Sequence, residues 1–576
     1  MQRWLILAAL MLPATALAQP KADEPEKKTD PPTTTTPTAP TPKATTPTTA
    51  PTPTPKPTPK PVSSEPTDAG KPNPDEPPVV AVDPKKDVNE RQPGKVRGES
   101  SFMDVRLNLT LTNENLFAKP GETIPSVPGW RFGRPNSLGV LFFDNYDTRF
   151  SGYETLAHAV LYRQHTDKNW EVEGALVLRI NDLAQNQIAL SDAGSYIRVA
   201  YWKDPKRKDP TRLSLVAFPT SSDRMRLGYS YRLSWGGSPE YQRSKESVPG
   251  VKIQYDTGKI YGYVGAKSAV VLDGATAEEK AVRGYLAGFG IDITPMIKWE
   301  VNAGYFNRGS NELQDVLTED VQLYGVSTQL AFHDGMPVGS SIDYTLYRND
   351  PLRVGRLFRR AEYPGGLSWL VTSEFTFLAQ TLKDPEATGS TKIQKAIAGD
   401  VNVRVKYNRL RFRLDAQIRD LAFILHSTPS LPTYSDFPKE YDQAPNLFLA
   451  AGVDKNFDDK LTVGVVVGLD IPATLDTPTG VLPGDTVPGN GRSTAVIRNE
   501  GDITILPQGE KVAPQFAVKF QGRLDFSEFF AALLDVYYTY DPNQTRLRRD
   551  GPNDLLMREF GEFNQLGVNL TLQAKF

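Results

Sequence analysis

The sequence predicts an all-β protein, a large antiparallel transmembrane β-barrel of about 20 strands (range about 18–22) preceded by a disordered Pro/Thr-rich segment. Three observations predict it: an export signal followed by a tract that cannot build a core, a change of composition near residue 100, and alternation of apolar and polar residues that recurs to the last residue.

Residues 1–18 come first. In MQRWLILAALMLPATALAQP, Arg3 precedes an apolar run from Trp4 to Leu12, and Ala16 and Ala18 form an A-x-A site. That is the pattern of a cleaved signal peptide, cut after Ala18. The run is shorter than the roughly 20 residues a spanning helix needs. The chain contains no cysteine, so an exported form does not depend on disulfides. Residues 19–100 follow, with stretches such as TAPTPKATTPTTAPTPTPKPTPKP. With almost no large apolar side chain, this tract cannot offset the entropy of folding. It extends as polyproline II at about 3.1 Å per residue, so roughly 80 residues reach beyond about 200 Å when stretched. It reads as a linker; a tether for a periplasmic partner and a rod through the cell wall are the functional alternatives.

Residues 101–576 have a different composition: aromatics, Gly and β-branched residues rise, and Pro retreats to connections. The whole chain is nearly neutral, with 68 acidic against 66 basic residues, which gives no reason to expect nucleic acid as a partner. No apolar run of the roughly 18 residues that mark a membrane helix occurs after the signal. The period is that of strands. NWEVEGALVLRI sets Trp170, Val172, Leu176, Leu178 and Ile180 against Glu171, Glu173 and Arg179. DRMRLGYSYRLSW sets Met225, Leu227, Tyr229, Tyr231, Leu233 and Trp235 against Arg224, Arg226, Ser230, Arg232 and Ser234, and is read as a further strand. PQFAVKFQGRLDF sets Phe516, Val518, Phe520, Leu524 and Phe526 against Gln515, Lys519, Gln521, Arg523 and Asp525. Such strands run about 9–13 residues, the length that crosses a tilted bilayer, whereas soluble strands cluster near about 5–6.

Aromatics at strand ends, Tyr201, Trp202, Trp235, Trp299, Tyr305, Trp369, Tyr538 and Tyr540, suit the two membrane interfaces. A soluble sandwich accounts for any one of these strands. Repetition of the pattern along one region favours a sheet closed on itself, because an edge in hydrocarbon leaves backbone groups unpaired. Short turns at Asp256–Lys259, Thr294–Ile297, His333–Pro337, Tyr407–Asn408 and Phe526–Glu528 are assigned to the periplasmic end. The long connections Asn307–Thr318, Asn349–Gly365, Leu421–Pro445, Pro472–Lys511 and Asp541–Phe563 are assigned outward. The alternation breaks near Lys383–Lys392, which means that one strand is missed or invented.

The chain ends NQLGVNLTLQAKF. This resembles the closing strand of Gram-negative outer-membrane β-barrel proteins of the porin-like kind, which carry a polar-x-Gly-x-x-apolar-x-apolar signal and a terminal aromatic; Gln565, Gly567, Leu570, Leu572 and Phe576 match it. The resemblance covers Phe102–Phe576 and rests on general features, with no motif of a named subfamily. It implies insertion by the barrel-assembly machinery, outer-membrane lipid around the barrel, a location in the outer membrane of a Gram-negative bacterium, and a periplasmic amino-terminal tail.

A barrel of this size needs either water or a plug inside. The Pro-rich segment cannot fold into the plug of a siderophore-type importer. An infolded loop remains, and Pro472–Lys511 is the expected one. Around NRLRFRLDAQIRD, lipid-facing Leu410, Phe412, Leu414, Ala416 and Ile418 place Arg409, Arg411, Arg413 and Arg419 on the lumen side, with Arg404 and Lys406 from the strand before. These cations either brace the wall by pairing with acidic lumen residues such as Asp400, Asp415, Glu171 or Glu374, or hold a field that selects anions.

Catalysis has little to work with, since His158, His165, His333 and His426 lack an accompanying hydrolase motif. No metal or cofactor is expected. The expected function is an outer-membrane channel for passive diffusion of small polar solutes, with anion preference as a refinement. The alternative is a structural or surface-display barrel whose tail tethers a periplasmic or cell-wall partner.

Overall fold

The computed structural model describes residues 97–576 apart from 119–128, 133–156, 242–246, 273–277, 311–318, 339–365, 427–434, 478–492, 551–554 and some one- or two-residue gaps. The predicted signal peptide and nearly all of the Pro/Thr-rich tract lie outside the described residues.

Twenty strands share one hydrogen-bonded sheet, and 18 of them close an antiparallel ring. In chain order the staves are β1 (Arg97–Asn113), β2 (His158–Asp167), β3 (Trp170–Ala184), β4 (Tyr196–Trp202), β5 (Arg212–Phe218) and β6 (Gly250–Asp256). Next come β7 (Ile260–Leu272), β8 (Glu279–Thr294), β9 (Ile297–Ser310), β10 (Asp320–Asp334), β11 (Leu367–Lys383) and β12 (Thr391–Tyr407). The ring ends with β13 (Leu410–Arg419), β14 (Asn446–Phe457), β15 (Leu461–Ile471), β16 (Gln515–Asp525), β17 (Phe530–Tyr540) and β18 (Asn564–Lys575). Two short strands make up the twenty: Gly129–Phe132 continues the ladder of β1, and Gln187–Asp192 that of β3.

The seam joins the two ends of the barrel sequence. β18 pairs with β1 from Arg106↔Lys575 to Asn113↔Val568, and Val105 and Phe576 exchange backbone hydrogen bonds of 3.0 and 2.9 Å. Inside it, Thr110 and Thr571 hydroxyls lie 2.9 Å apart and Gln573 donates to Asn108 at 3.1 Å. No edge of the ring is left unpaired, the condition for a sheet in hydrocarbon.

The alternation read from sequence is the alternation of faces. Along β13, Leu410, Phe412 and Ile418 are exposed on the outside while Arg413, Asp415 and Arg419 are buried within. The same holds for Phe516, Phe520 and Leu524 on β16 and for Leu570 and Leu572 on β18. An apolar outer face with aromatic strips, such as Tyr285–Tyr305–Tyr324 toward one rim and Trp170–Tyr201 toward the other, is that of a bilayer-spanning barrel.

Three expectations are corrected. DRMRLGYSYRLSW is not a stave: β5 and β6 pair directly with each other, and the segment between them turns inward. Likewise β10 pairs directly with β11, so the connection 335–366 begins and ends at the short-turn rim rather than facing outward; Asn349–Gly365 itself lies outside the described residues. With no stave between β10 and β11, the connection 384–390 falls at the long-connection rim and the alternation is regular. Trp202 is not an interface aromatic, because its position on β4 faces inward and is buried.

Gly567 shows why closure needs glycine at this point. It sits opposite Tyr537 on β17, and a Cβ there would enter the tyrosine ring. Gly567→Val is expected to strip the unheated protein of its fast-migrating form in a heat-modifiability gel, at a cost of about 1–3 kcal/mol for overpacking. Tyr537→Ala in the same chain should restore that form.

Candidate functional site

The inward-turned segment, residues 222–241, packs against the inner face of the ring. It forms a short hairpin in which Leu227 and Trp235 exchange backbone hydrogen bonds of 2.9 Å, with Gly228 (φ +83°) and Gly236 (φ +72°) in the left-handed conformation. The strand-like alternation of this stretch is therefore real over a few residues, but it belongs to a hairpin whose apolar side chains point at the barrel wall.

The wall has been cut back to receive it. A Cβ on Gly304 of β9 would strike Leu227, one on Gly325 of β10 would strike Trp235 and Leu378, and one on Gly284 of β8 would strike Phe306 and Tyr241. Trp235 is fully buried, stacks edge-on to Phe306 at 5.7 Å and donates its indole N–H to Ser327 at 2.9 Å.

Two buried charges hold the backbone of the hairpin. Lys267 on β7 donates to the carbonyls of Ser222 (3.1 Å), Met225 (2.7 Å) and Gly236 (2.5 Å). Glu374 on β11 accepts the N–H groups of Tyr229 (2.9 Å) and Ser230 (2.6 Å) and the Ser230 hydroxyl (2.8 Å). Beyond them, the Ser230 hydroxyl is also in contact with the Asp400 carboxyl on β12, and Arg232 lies 4.1 Å from the ring centre of Phe448 on β14. The hairpin thus makes contacts from β7 to β14, seven stave steps of the eighteen in the ring, along one side of its inner wall.

Its base is tied to the outer loops. Glu240 accepts from His426 at 3.0 Å, and Arg308 on β9 donates to the Glu240 carbonyl at 3.2 Å and to the His426 carbonyl. Burial alone would raise the Glu240 carboxyl; the His426 and Arg308 charges outweigh it and hold the group down at about 2. His426 ends the helix Leu421–Leu425, which shares one apolar cluster with the hairpin and with Ala473, Leu475, Ala495 and Ile497. These last residues belong to a four-stranded sheet of Asp442–Ala444, Ala473–Thr477, Ser493–Asn499 and Asp502–Ile505. The expectation for Pro472–Lys511 is corrected accordingly: its described strands build that sheet, and the segment that packs against the inner wall of the staves is 222–241.

The predicted cations lie on one wall. Arg404 faces Arg413 and Lys406 faces Arg411 in directly opposed cross-strand pairs of β12 and β13. Arg404 donates to Asn402 (3.0 Å), which in turn donates to Asp415, and Arg411 pairs with Asp454 on β14 at 2.8 Å. Arg419 donates to Asn446 at 2.9 and 3.2 Å, nearer the opposite rim. Arg409 stands apart from them, exposed in the two-residue turn after Asn408 (φ +51°). The side chain of His158 is not described, His165 is exposed, and His333 is bonded to the Met336 carbonyl at 2.9 Å.

Sequence reasoning found neither Lys267 nor the hairpin, and it read Glu374 as a lumen carboxylate that braces the arginines rather than as the hairpin's anchor. Three inward positions of adjacent staves, Gly284, Gly304 and Gly325, were the available signal, since glycine weakens a strand unless something approaches its backbone.

A closed ring with an apolar exterior and a hairpin folded against its inner wall defines a transmembrane β-barrel protein. No family model matches the sequence, and no curated protein does. Solved barrels that align with it include OpdQ of Pseudomonas aeruginosa, at 9% identity over 83% of this chain and 97% of that one, with a TM-score of 0.37. A BenF-like porin from Pseudomonas fluorescens aligns at 10% identity over 83% and 98%, TM-score 0.36. An anion-selective porin from Comamonas acidovorans aligns at 7% over 83% and 100%, TM-score 0.35. At such scores the likeness carries no inference about solute or mechanism.

Lys267→Met leaves three carbonyls without their shared donor, at about 1–3 kcal/mol for each left unsatisfied. Glu374→Gln keeps the shape but loses the charge that receives two N–H groups. In hydrogen-exchange measurements on the detergent-solubilised protein, the Tyr229 and Ser230 amides are expected to exchange about tenfold faster in Glu374→Gln, a change of about 1.4 kcal/mol. Amides of the β1–β18 seam should be unaffected.

Proposed function

We propose that the protein is an outer-membrane channel for passive diffusion of small polar solutes, with a preference for anions, and that its Pro/Thr-rich tail extends into the periplasm. The observation that carries this reading is the chemistry of the inner wall from β12 to β16. There Arg404, Lys406, Arg411, Arg413, Arg419, Lys519 and Arg523 face inward and outnumber the inward carboxylates of the same staves, Asp400, Asp415, Asp454, Asp470 and Asp525. Ion pairing such as Arg411–Asp454 and Arg523–Asp525 braces the wall, yet the excess positive charge remains and concentrates anions in a low-dielectric passage. Both termini of the ring, Arg97 and Phe576, lie at the short-turn rim, which suits a periplasmic tail.

A second reading has its own support. The hairpin, the helix Leu421–Leu425 and the four-stranded sheet share an apolar cluster with Val216, Phe218, Leu323 and Leu378 of the staves, which suits a scaffold barrel with a filled outer half. In that case the tail would serve to attach a periplasmic or cell-wall partner.

Reconstitution into planar bilayers separates the two. Stepwise conductance is expected, with a reversal potential in a salt gradient that favours anions. Arg404→Gln with Arg413→Gln should lower the anion-to-cation permeability ratio by about twofold or more. Deleting residues 20–96 should leave conductance unchanged. Silent bilayers would favour the scaffold.

A further inference from the structure

The connection between β4 and β5, residues 203–211, lies at the short-turn rim and sends one arginine back into the barrel mouth. Arg207 is buried, although it stands in a turn of charged residues, and its backbone is left-handed (φ +56°), a conformation a non-glycine residue rarely adopts. The turn is built to hold it so. Asp204 accepts the N–H groups of Lys206 (3.0 Å), Lys208 (2.8 Å) and Asp209 (3.3 Å), and its carbonyl accepts the Arg207 N–H at 2.9 Å. The Lys206 N–H, helped by those of Lys208 and Asp209, holds the Asp204 carboxyl below the usual carboxylate range.

Inside the mouth, Arg207 gives only its Nη1 to a protein acceptor, the Glu171 carboxylate at 2.6 Å. Glu171 also receives Arg198, while Glu173 takes Arg198 Nε (2.5 Å) and the hydroxyls of Tyr162 (2.9 Å) and Tyr196 (3.5 Å). Both carboxylates are therefore engaged. What remains is the Nε–Nη2 edge of Arg207, both nitrogens buried and without an acceptor among the described residues. That edge presents two parallel N–H groups, the fork that takes an oxyanion side-on. The Arg207 guanidinium lies 4.7 Å from the ring centre of Trp202, whose buried indole N–H also has no acceptor among the described residues. Arg212 lies 5.0 Å from the same ring. Buried donors are almost always satisfied, and those of a cation most strongly.

We propose that this arrangement is an oxyanion site, in which the Nε–Nη2 fork of Arg207, seconded by the Trp202 indole N–H, takes a carboxylate or phosphate monoanion at the short-turn mouth. Arg198, Arg207 and Arg212 are matched in charge by Glu171, Glu173 and Asp256, so the ligand is held by directed hydrogen bonds and binds weakly, in the millimolar range. The proposal does not rest on the channel reading, since a scaffold barrel would carry the same site.

Inorganic phosphate titrated calorimetrically into the full-length detergent-solubilised protein, at fixed chloride and ionic strength, is the test. Saturable binding is expected, with acetate competing for the same site. Arg207→Lys keeps the charge opposite Glu171 but has no fork, and should weaken binding at least tenfold. Trp202→Phe keeps the ring and removes the donor, and should weaken it severalfold. Heat-modifiable migration checks that each variant is folded; should Arg207→Lys fail that check, Trp202→Phe decides alone. Absence of saturable binding in the parent protein would mean that water fills the fork and overturns the proposal. Binding unchanged in the folded variants would mark an adventitious ion only, and overturns it equally.

Discussion

Every feature of this barrel depends on the pairing of β1 with β18. In hydrocarbon no water is available to a backbone N–H or carbonyl, so a sheet with two open edges would leave a row of unpaired groups on each, every one costing several kcal/mol. Thr110 and Thr571, which face each other across the seam, are separated by 461 residues. The most expensive deficit is therefore removed only when the last stave finds the first. Local hairpins form readily from neighbouring staves, but none of them is stable in the membrane until the ring is complete.

Once the ring is closed, the two faces of each stave answer to different solvents. Outside, Leu410 and Phe412 need only be apolar, because lipid has no shape to match. Inside, the neighbours are other side chains, and shape matters: Gly325 is open to Trp235, and Gly567 to Tyr537. Glycine on the inner face removes β-stabilising side chains from the staves, and the loss is offset by the aromatic surface that packs into the gap. This explains how the wall receives an irregular hairpin while the ladder of β8, β9 and β10 stays in register beside Gly284, Gly304 and Gly325, shifting only at Asp292/Thr294 and Asn307/Ser310.

The barrel, its approximate stave number and the orientation of the arginines on β12 and β13 were legible because a period of two, repeated over membrane-crossing lengths, has few physical explanations. The hairpin was not legible, because Met225 to Trp235 alternates as a stave does; alternation reports extended backbone with one apolar side, and a hairpin laid on a wall satisfies it as well as a stave in lipid. Similarly, the missing stave between β10 and β11 is a matter of pairing, which only the register of Leu323↔Gln380 to Asp334↔Trp369 reveals. Arg207 was hidden for another reason. In KDPKRKDP nothing distinguishes it from its neighbours; the left-handed backbone that turns it inward comes from the hydrogen bonds of Asp204.

The hairpin's position follows from the different chemistry of its two anchors. Lys267 has only donors and Glu374, when ionised, only acceptors, so each can hold one polarity of backbone group. The hairpin offers carbonyls where it enters and leaves at β7, and N–H groups where it turns at β11. Four stave-to-stave steps of about 4.8 Å separate the anchors, roughly 19 Å along the wall. Between them lie β8, β9 and β10, whose inward Gly284, Gly304 and Gly325 make room for the hairpin and the aromatics packed on it. A hairpin turned end for end would set carbonyls against Glu374 and N–H groups against Lys267, leaving both charges buried and unpaired. Direction along the wall is therefore fixed by hydrogen-bond polarity, and depth by the glycines. With both fixed, Arg232 is carried past β11 to Phe448 on β14, into the sector of the ring that carries Arg404, Arg411 and Arg413.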